Sequence, residues 1–106
     1  MGSCRSSGVV TADAVVSAER CRLVSIHAQM TSTAATTVKV FDNASAGSGK
    51  ELARIILQAP TNADASIQTG TACVEFDMHG VLAMNGLFVE ISTGAGTGAA
   101  VSVEYN

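Results

Sequence analysis

The sequence has no tryptophan, one tyrosine and three phenylalanines, so aromatics make up 4% of its 106 residues. A core without several large rings must be built from Val, Ile, Leu, Met and Ala, and it gains less buried area per residue. A monomer with such a core is expected to be marginally stable and to draw stability from association. Charge is scarce too. Asp, Glu, Lys and Arg make up 14% of the chain, against about 25% in an ordinary soluble domain. Outward positions are filled by Ser, Thr, Ala and Gly, which lose little rotamer entropy when another surface packs on them. That composition points to a protein that lives against other proteins.

Other shortages exclude function classes. The six Lys and Arg are scattered and the pI is near 5.1, which argues against nucleic acid as a partner. No apolar run is long enough for a membrane-spanning helix, and MGSCRSSG lacks the apolar stretch of a signal peptide. Cys4, Cys21 and Cys73 have no CxxC spacing and make neither a disulfide framework nor a zinc site. Cys21 and Cys73 begin apolar runs and read as free thiols in or near the core, which suits a reducing cytoplasm.

What is present is alternation. Val74, Phe76 and Met78 fall on one strand face, and Leu87, Val89 and Ile91 repeat the pattern, as do Val101, Val103 and Tyr105. Asn85-Gly86 lies between two apolar runs and reads as the type I′ turn of a hairpin. Strands are expected over 9–18 (interrupted near Ala12-Asp13), 21–30, 36–41, 51–58, 73–78, 80–84, 87–92 and 99–105. In the second of these Val24, Ile26, Ala28 and Met30 face one way, and Leu23, Ser25, His27 and Gln29 the other. Residues 51–58 contain helix formers, but Ile55-Ile56-Leu57 tips them to strand. Residues 61–71 form a polar loop with room for a short edge strand, and the Gly-rich segment from Gly94 gives the last hairpin its tip. Residues 1–8 read as a polar arm that would not order alone, and residues 9–106 as one all-β domain. Seven to eight short antiparallel strands predict a sandwich or small barrel.

No motif carries chemistry. Gly47-Ser48-Gly49-Lys50 has Ala44 and Glu51 where a phosphate loop needs Gly and Ser or Thr, so it reads as a hairpin turn. His27 and His79 are the only histidines, and two ligands are too few for a metal. A Ser/His/acid triad can assemble from distant positions, yet no serine stands in a nucleophile-elbow context. Glu75, Asp77, Glu90 and Glu104 lie at outward strand positions and could supply a glycosidase pair, but aromatic sugar platforms are missing. Asp42-Asn43 and Asn62 with Asp64 could offer oxygens to calcium, and turn hydrogen bonding accounts for them more simply. The expectation is no enzyme, no cofactor and no metal. Glu75, Asp77, Glu90 and Glu104, together with Arg5, Arg20 and Arg22, are the candidate contact surface, with Lys39, Arg20 and Arg22 as natural partners of the acids within one subunit or across an interface.

Three stretches also carry a resemblance: CRLVSIHAQM, TTVKVFDNASAGSGKELARIIL, and VEFDMHGVLAMNGLFVEISTGAGTGAAVSVEY. Across residues 21–105 they resemble small virion structural proteins of tailed bacteriophages. The resemblance implies a β-sandwich or jelly-roll-like domain that serves as a capsid decoration (cement) protein or a head or tail appendage. It transfers no catalytic residue. Its partners would be other copies of the chain, as a homotrimer or other symmetric oligomer, and a major capsid or other virion protein. Localisation would be the virion, after synthesis in the bacterial cytoplasm. The polar arm would touch a neighbouring subunit or the shell, and exposed edge strands could add to a neighbour's sheet. A tail, neck or fibre component and a carbohydrate-binding adhesin are the competing expectations.

Overall fold

Strands with one apolar face need a second apolar face to cover it, and two stacked sheets provide that. A computed structural model of the chain describes residues 4–30, 35–57, 73–93 and 99–106 and contains two antiparallel four-stranded sheets. The strands are β1 (Arg5–Ser6), β2 (Ala14–Ser17), β3 (Cys21–Met30), β4 (Thr36–Asp42), β5 (Lys50–Leu57), β6 (Cys73–Ala83), β7 (Leu87–Thr93) and β8 (Ala99–Tyr105). The first sheet has the order β1-β8-β3-β6 and the second β2-β7-β4-β5. Among the described residues, β4 to β5 is the one connection that stays within a sheet.

The core fills the space between the sheets. Leu23, Ile26 and Met30 of β3, Val38 and Val40 of β4, Leu57 of β5, Leu87 and Val89 of β7, and Val101 and Val103 of β8 are essentially inaccessible. Alternation therefore predicts the inward faces of β4, β7 and β8. On β3 it fails at one place. A bulge between Leu23 and Ser25 shifts the register against both neighbouring strands, so Cys21 and Leu23 join Ile26, Ala28 and Met30 on the inward side. A strand with one extra residue changes face there, which simple alternation cannot anticipate.

Two connections differ from the expected hairpins. Residues 73–83 form one strand, not two; Met78, His79 and Gly80 bulge out of it, with positive φ at His79 (55°) and Gly80 (79°). The chain then leaves the first sheet at Ala83 and enters the second at Leu87, so Asn85-Gly86 joins two sheets and is not a hairpin turn. β7 and β8 also lie in different sheets, and the expected tip between them, like the polar loop of 61–71, falls outside the described residues. The arm does not need a neighbour to order residues 5 and 6, because they pair with Tyr105 and Glu104 of the same chain. Backbone bonds from Ser7 to Val103 (2.8 Å) and from Val10 to Val101 (2.7 Å) continue that attachment.

The crossing from β6 to β7 is held by Asp42 at the end of β4. Its buried carboxylate accepts the amide protons of Asn85 (2.7 Å) and Met84 (3.0 Å). Burial pushes the Asp42 carboxyl up, but the backbone donors of Asn85, Met84 and Gly86 outweigh it and hold the carboxyl below its usual range. Gly86 passes between neighbouring backbones with φ 146°; a Cβ there would collide with the Ser17 carbonyl oxygen and lie 3.1 Å from the Ala44 Cα. Both contacts are backbone, so neither can swing away. Gly86→Val is expected to cost more than about 3 kcal/mol of unfolding free energy. Denaturant titration checks this, and a variant as stable as the parent would show that the crossing is misplaced.

Candidate functional site

The bulge that turns Leu23 inward also sets which side chains line the outer face of the first sheet. Below it, β3 presents Ser25 and His27, with Asp77 and Glu75 directly opposite on β6. On the other side β8 brings Glu104 opposite Ser25. These residues and Val24 line an open depression of about 260 Å³. His27 sits at its centre. Its Nδ1 is 2.8 Å from Glu75 Oε2, and its Nε2 is 3.5 Å from Glu104 Oε1. Ser25 Oγ donates to Glu104 Oε1 at 2.5 Å and lies 3.4 Å from His27 Nε2. The Ser25 hydroxyl, with the His27 contact and the His27 charge as smaller causes, lowers the Glu104 pKa below that of an ordinary glutamate.

Serine, histidine and glutamate thus stand in triad order across two strands, yet the electrostatics oppose acyl transfer. The Ser25 proton points at Glu104, not at the imidazole. A carboxylate at hydrogen-bond distance from the nucleophile would repel the oxyanion that acyl transfer creates, where catalysis needs donors. Glu104 is also unsuited to be the general acid of a glycosidase pair, a role that needs a raised carboxyl pKa, since this one is lowered. Among the described residues no group of three or more His, Cys, Asp and Glu is placed to hold a metal ion. Asp77 has a local task as well. Its Oδ1 accepts the His79 amide proton at 3.0 Å and lies 3.5 Å from His79 Nδ1, which supports the left-handed backbone of the β6 bulge.

The structure gathers some of the candidate contact residues and separates others. Glu75, Asp77 and Glu104 share the outer depression. Arg22 lies on the same face, opposite Leu82 and beside Gly80, and is exposed. Arg5 and Arg20 line a second depression of about 290 Å³ at the end of the sandwich, with Ser17, Glu19, Cys21, Tyr105 and Asn106. Glu90 belongs to the other sheet, where it faces Lys39 at 4.0 Å. Lys39 is therefore the partner of Glu90, whereas Arg20 and Arg22 form no ion pair among the described residues.

The Gly47-Ser48-Gly49-Lys50 loop folds back over β7. Asn43 shapes it, accepting the amides of Ser45 (2.8 Å) and Ala46 (3.0 Å) and donating to the Ser48 carbonyl (3.0 Å). A Cβ on Gly47 would meet Glu90 Oε2 at 2.5 Å and the Phe88 ring at 3.5 Å. A loop packed on a carboxylate cannot cradle a phosphate, so the hairpin reading holds. Ser25 is the residue that sequence reasoning missed. Its only signal was its place two positions before His27 on an alternating strand. No family model, curated protein or solved structure matches the chain.

The depression generates one direct test. Ser25→Ala removes the donor that lowers the Glu104 pKa, so the Glu104 titration midpoint is expected to rise toward the ordinary glutamate value. Carbon-detected NMR titration of the carboxyl measures it, and an unmoved midpoint would show that the Ser25 contact does not form in solution.

Proposed function

We propose that the chain is a non-enzymatic virion structural protein, a capsid decoration (cement) module built on a jelly roll. The observation that carries the reading is the strand order. The antiparallel pairs β1·β8, β2·β7, β3·β6 and β4·β5 are those of a long hairpin rolled into two sheets. That order supports a jelly roll, an architecture common in capsid and lectin domains. Fold alone does not assign function, so the surface matters more. An outer surface poor in charge and rich in short side chains favours packing against other proteins.

The edges of the sheets argue for contact through faces. β1 has two residues and β2 four, with a register shift between Val15 and Ser17. β5 pairs with β4 through a shift between Val40 and Phe41, and β6 is kinked at His79-Gly80. Short, bulged edges are how sheets resist strand addition. On this reading the partners are other copies of the chain and a shell protein. They meet sheet faces and loops, not the edge ladders that the sequence alone pointed to.

Immunogold labelling of particles purified from cells that make the protein tests the proposal. Dense, regular label over the head shell is expected. Label confined to the tail would contradict the decoration role. Absence of the protein from particles purified to constant composition would contradict a virion role altogether.

A further inference from the structure

The two outer faces handle charge differently. On the second sheet each charged strand residue has a neighbour of opposite sign. Lys39 faces Glu90, Arg54 chelates Glu51 through two contacts of 2.6 and 2.9 Å, and Lys50 stands opposite Asp42. On the first sheet the signs are segregated. Glu75, Asp77 and Glu104 surround the half-exposed His27 in one depression, while Arg22 stands exposed and makes no ion pair among the described residues. Arg22 does not close the gap within its own chain among the described residues. Ser25, opposite Asp77, is three positions further along β3, beyond the Val24 bulge. The Met78–Gly80 bulge fills the interval, with Gly80 against the Arg22 side chain.

We propose that two copies associate through the outer face of the first sheet, about a twofold axis that crosses β3 near Val24. Such an axis reverses the strand direction between copies. It carries position 22 of one copy over position 26 of the other, which lies between the Asp77 and Glu75 rows. Arg22 of each copy then meets Glu75 and Asp77 of the second, and both contacts form at once because a twofold interface is self-complementary. Val24, half-buried at the rim of the depression, lies on the axis. Leu82, 37% exposed and opposite Arg22, adds apolar area at each end. Charge complementarity sets the register, and the small side chains around it (Ala100 and Ser102 on β8) let the faces approach.

This inference supplies the self-partner that the proposed function calls for, and rests on that reading only in treating assembly as the chain's task. Sedimentation equilibrium of the purified full chain at low ionic strength tests it. A dimer is expected, weakening as sodium chloride is raised. Arg22→Glu and Glu75→Arg should each loosen it by about tenfold or more, since each places like charges together twice. Arg22→Gln, a milder change, should loosen it less. An equimolar mixture of the Arg22→Glu and Glu75→Arg proteins should restore much of the dimer as a heterodimer, because position 22 of each copy then meets the opposite sign at position 75 of the other, leaving Asp77 against the substituted position 22 as the one like-charge contact. Circular dichroism verifies that each variant is folded. A wild-type chain that stays monomeric, a dimer indifferent to Arg22→Glu, or folded variants that fail to recombine would each overturn the proposal. Particle labelling is read independently, so failure of the dimer and failure of the virion role are distinguishable.

Discussion

The fold depends on getting the backbone from one sheet to the other without stranding its amide groups. A chain that leaves a ladder gives up its partners, and a buried N–H without an acceptor costs about 1–3 kcal/mol. At the β6–β7 crossing Asp42 supplies that acceptor, bonding both Met84 and Asn85 from the end of β4. Gly86 supplies the room, because a side chain there would strike the Ser17 carbonyl. Together they tie three parts of the sandwich to one point: the end of β4, the end of β2 and the start of β7. The neighbouring Asn43 loop continues the same knot onto Phe88 and Glu90.

A second constraint, the bulge at Val24, links the core to the outer face. By changing the facing of β3 midway, it lets Cys21 and Leu23 enter the core while Ser25 and His27 border an acidic depression. Without it, either Leu23 or Ile26 would face water. Burying a Leu or Ile side chain is worth about 1.5–3 kcal/mol, so the bulge is retained by the core. The outer arrangement of His27, Glu75 and Glu104 follows from it.

Much of this was legible in the sequence, and the rest failed for identifiable reasons. The Val38/Val40, Leu87/Val89 and Val101/Val103 alternations gave the right strands and the right inward faces, because period-two patterning is local. Which strands share a sheet is not local. Asn85-Gly86 has the chemistry of a hairpin turn, and the need for glycine was real, but its cause is close approach to Ser17 and Ala44. The β3 bulge was hidden because Leu23-Val24-Ser25 is compatible with either facing. The acids Glu75, Asp77 and Glu104 could be placed outward, whereas their meeting with Ser25 required the register of three strands. Glu90 could not be told from them until the sheets were assigned.

The Asp42 carboxylate, as an anion, holds the sheet crossing. Its carboxyl pKa is lower in the folded chain than in the unfolded one. Its stabilisation is therefore fully present above the unfolded value and is lost as pH falls through the folded value. The Asp42→Asn substitution would keep the shape but turn an N–H donor toward an amide that needs an acceptor. The decisive measurement is the unfolding free energy of the parent and of Asp42→Asn from neutral pH into acid. The account predicts a parent more stable by about 1–3 kcal/mol at neutral pH, with the difference shrinking once the folded-state carboxyl takes up its proton. Equal stability at neutral pH, or a difference that does not change in acid, would contradict it.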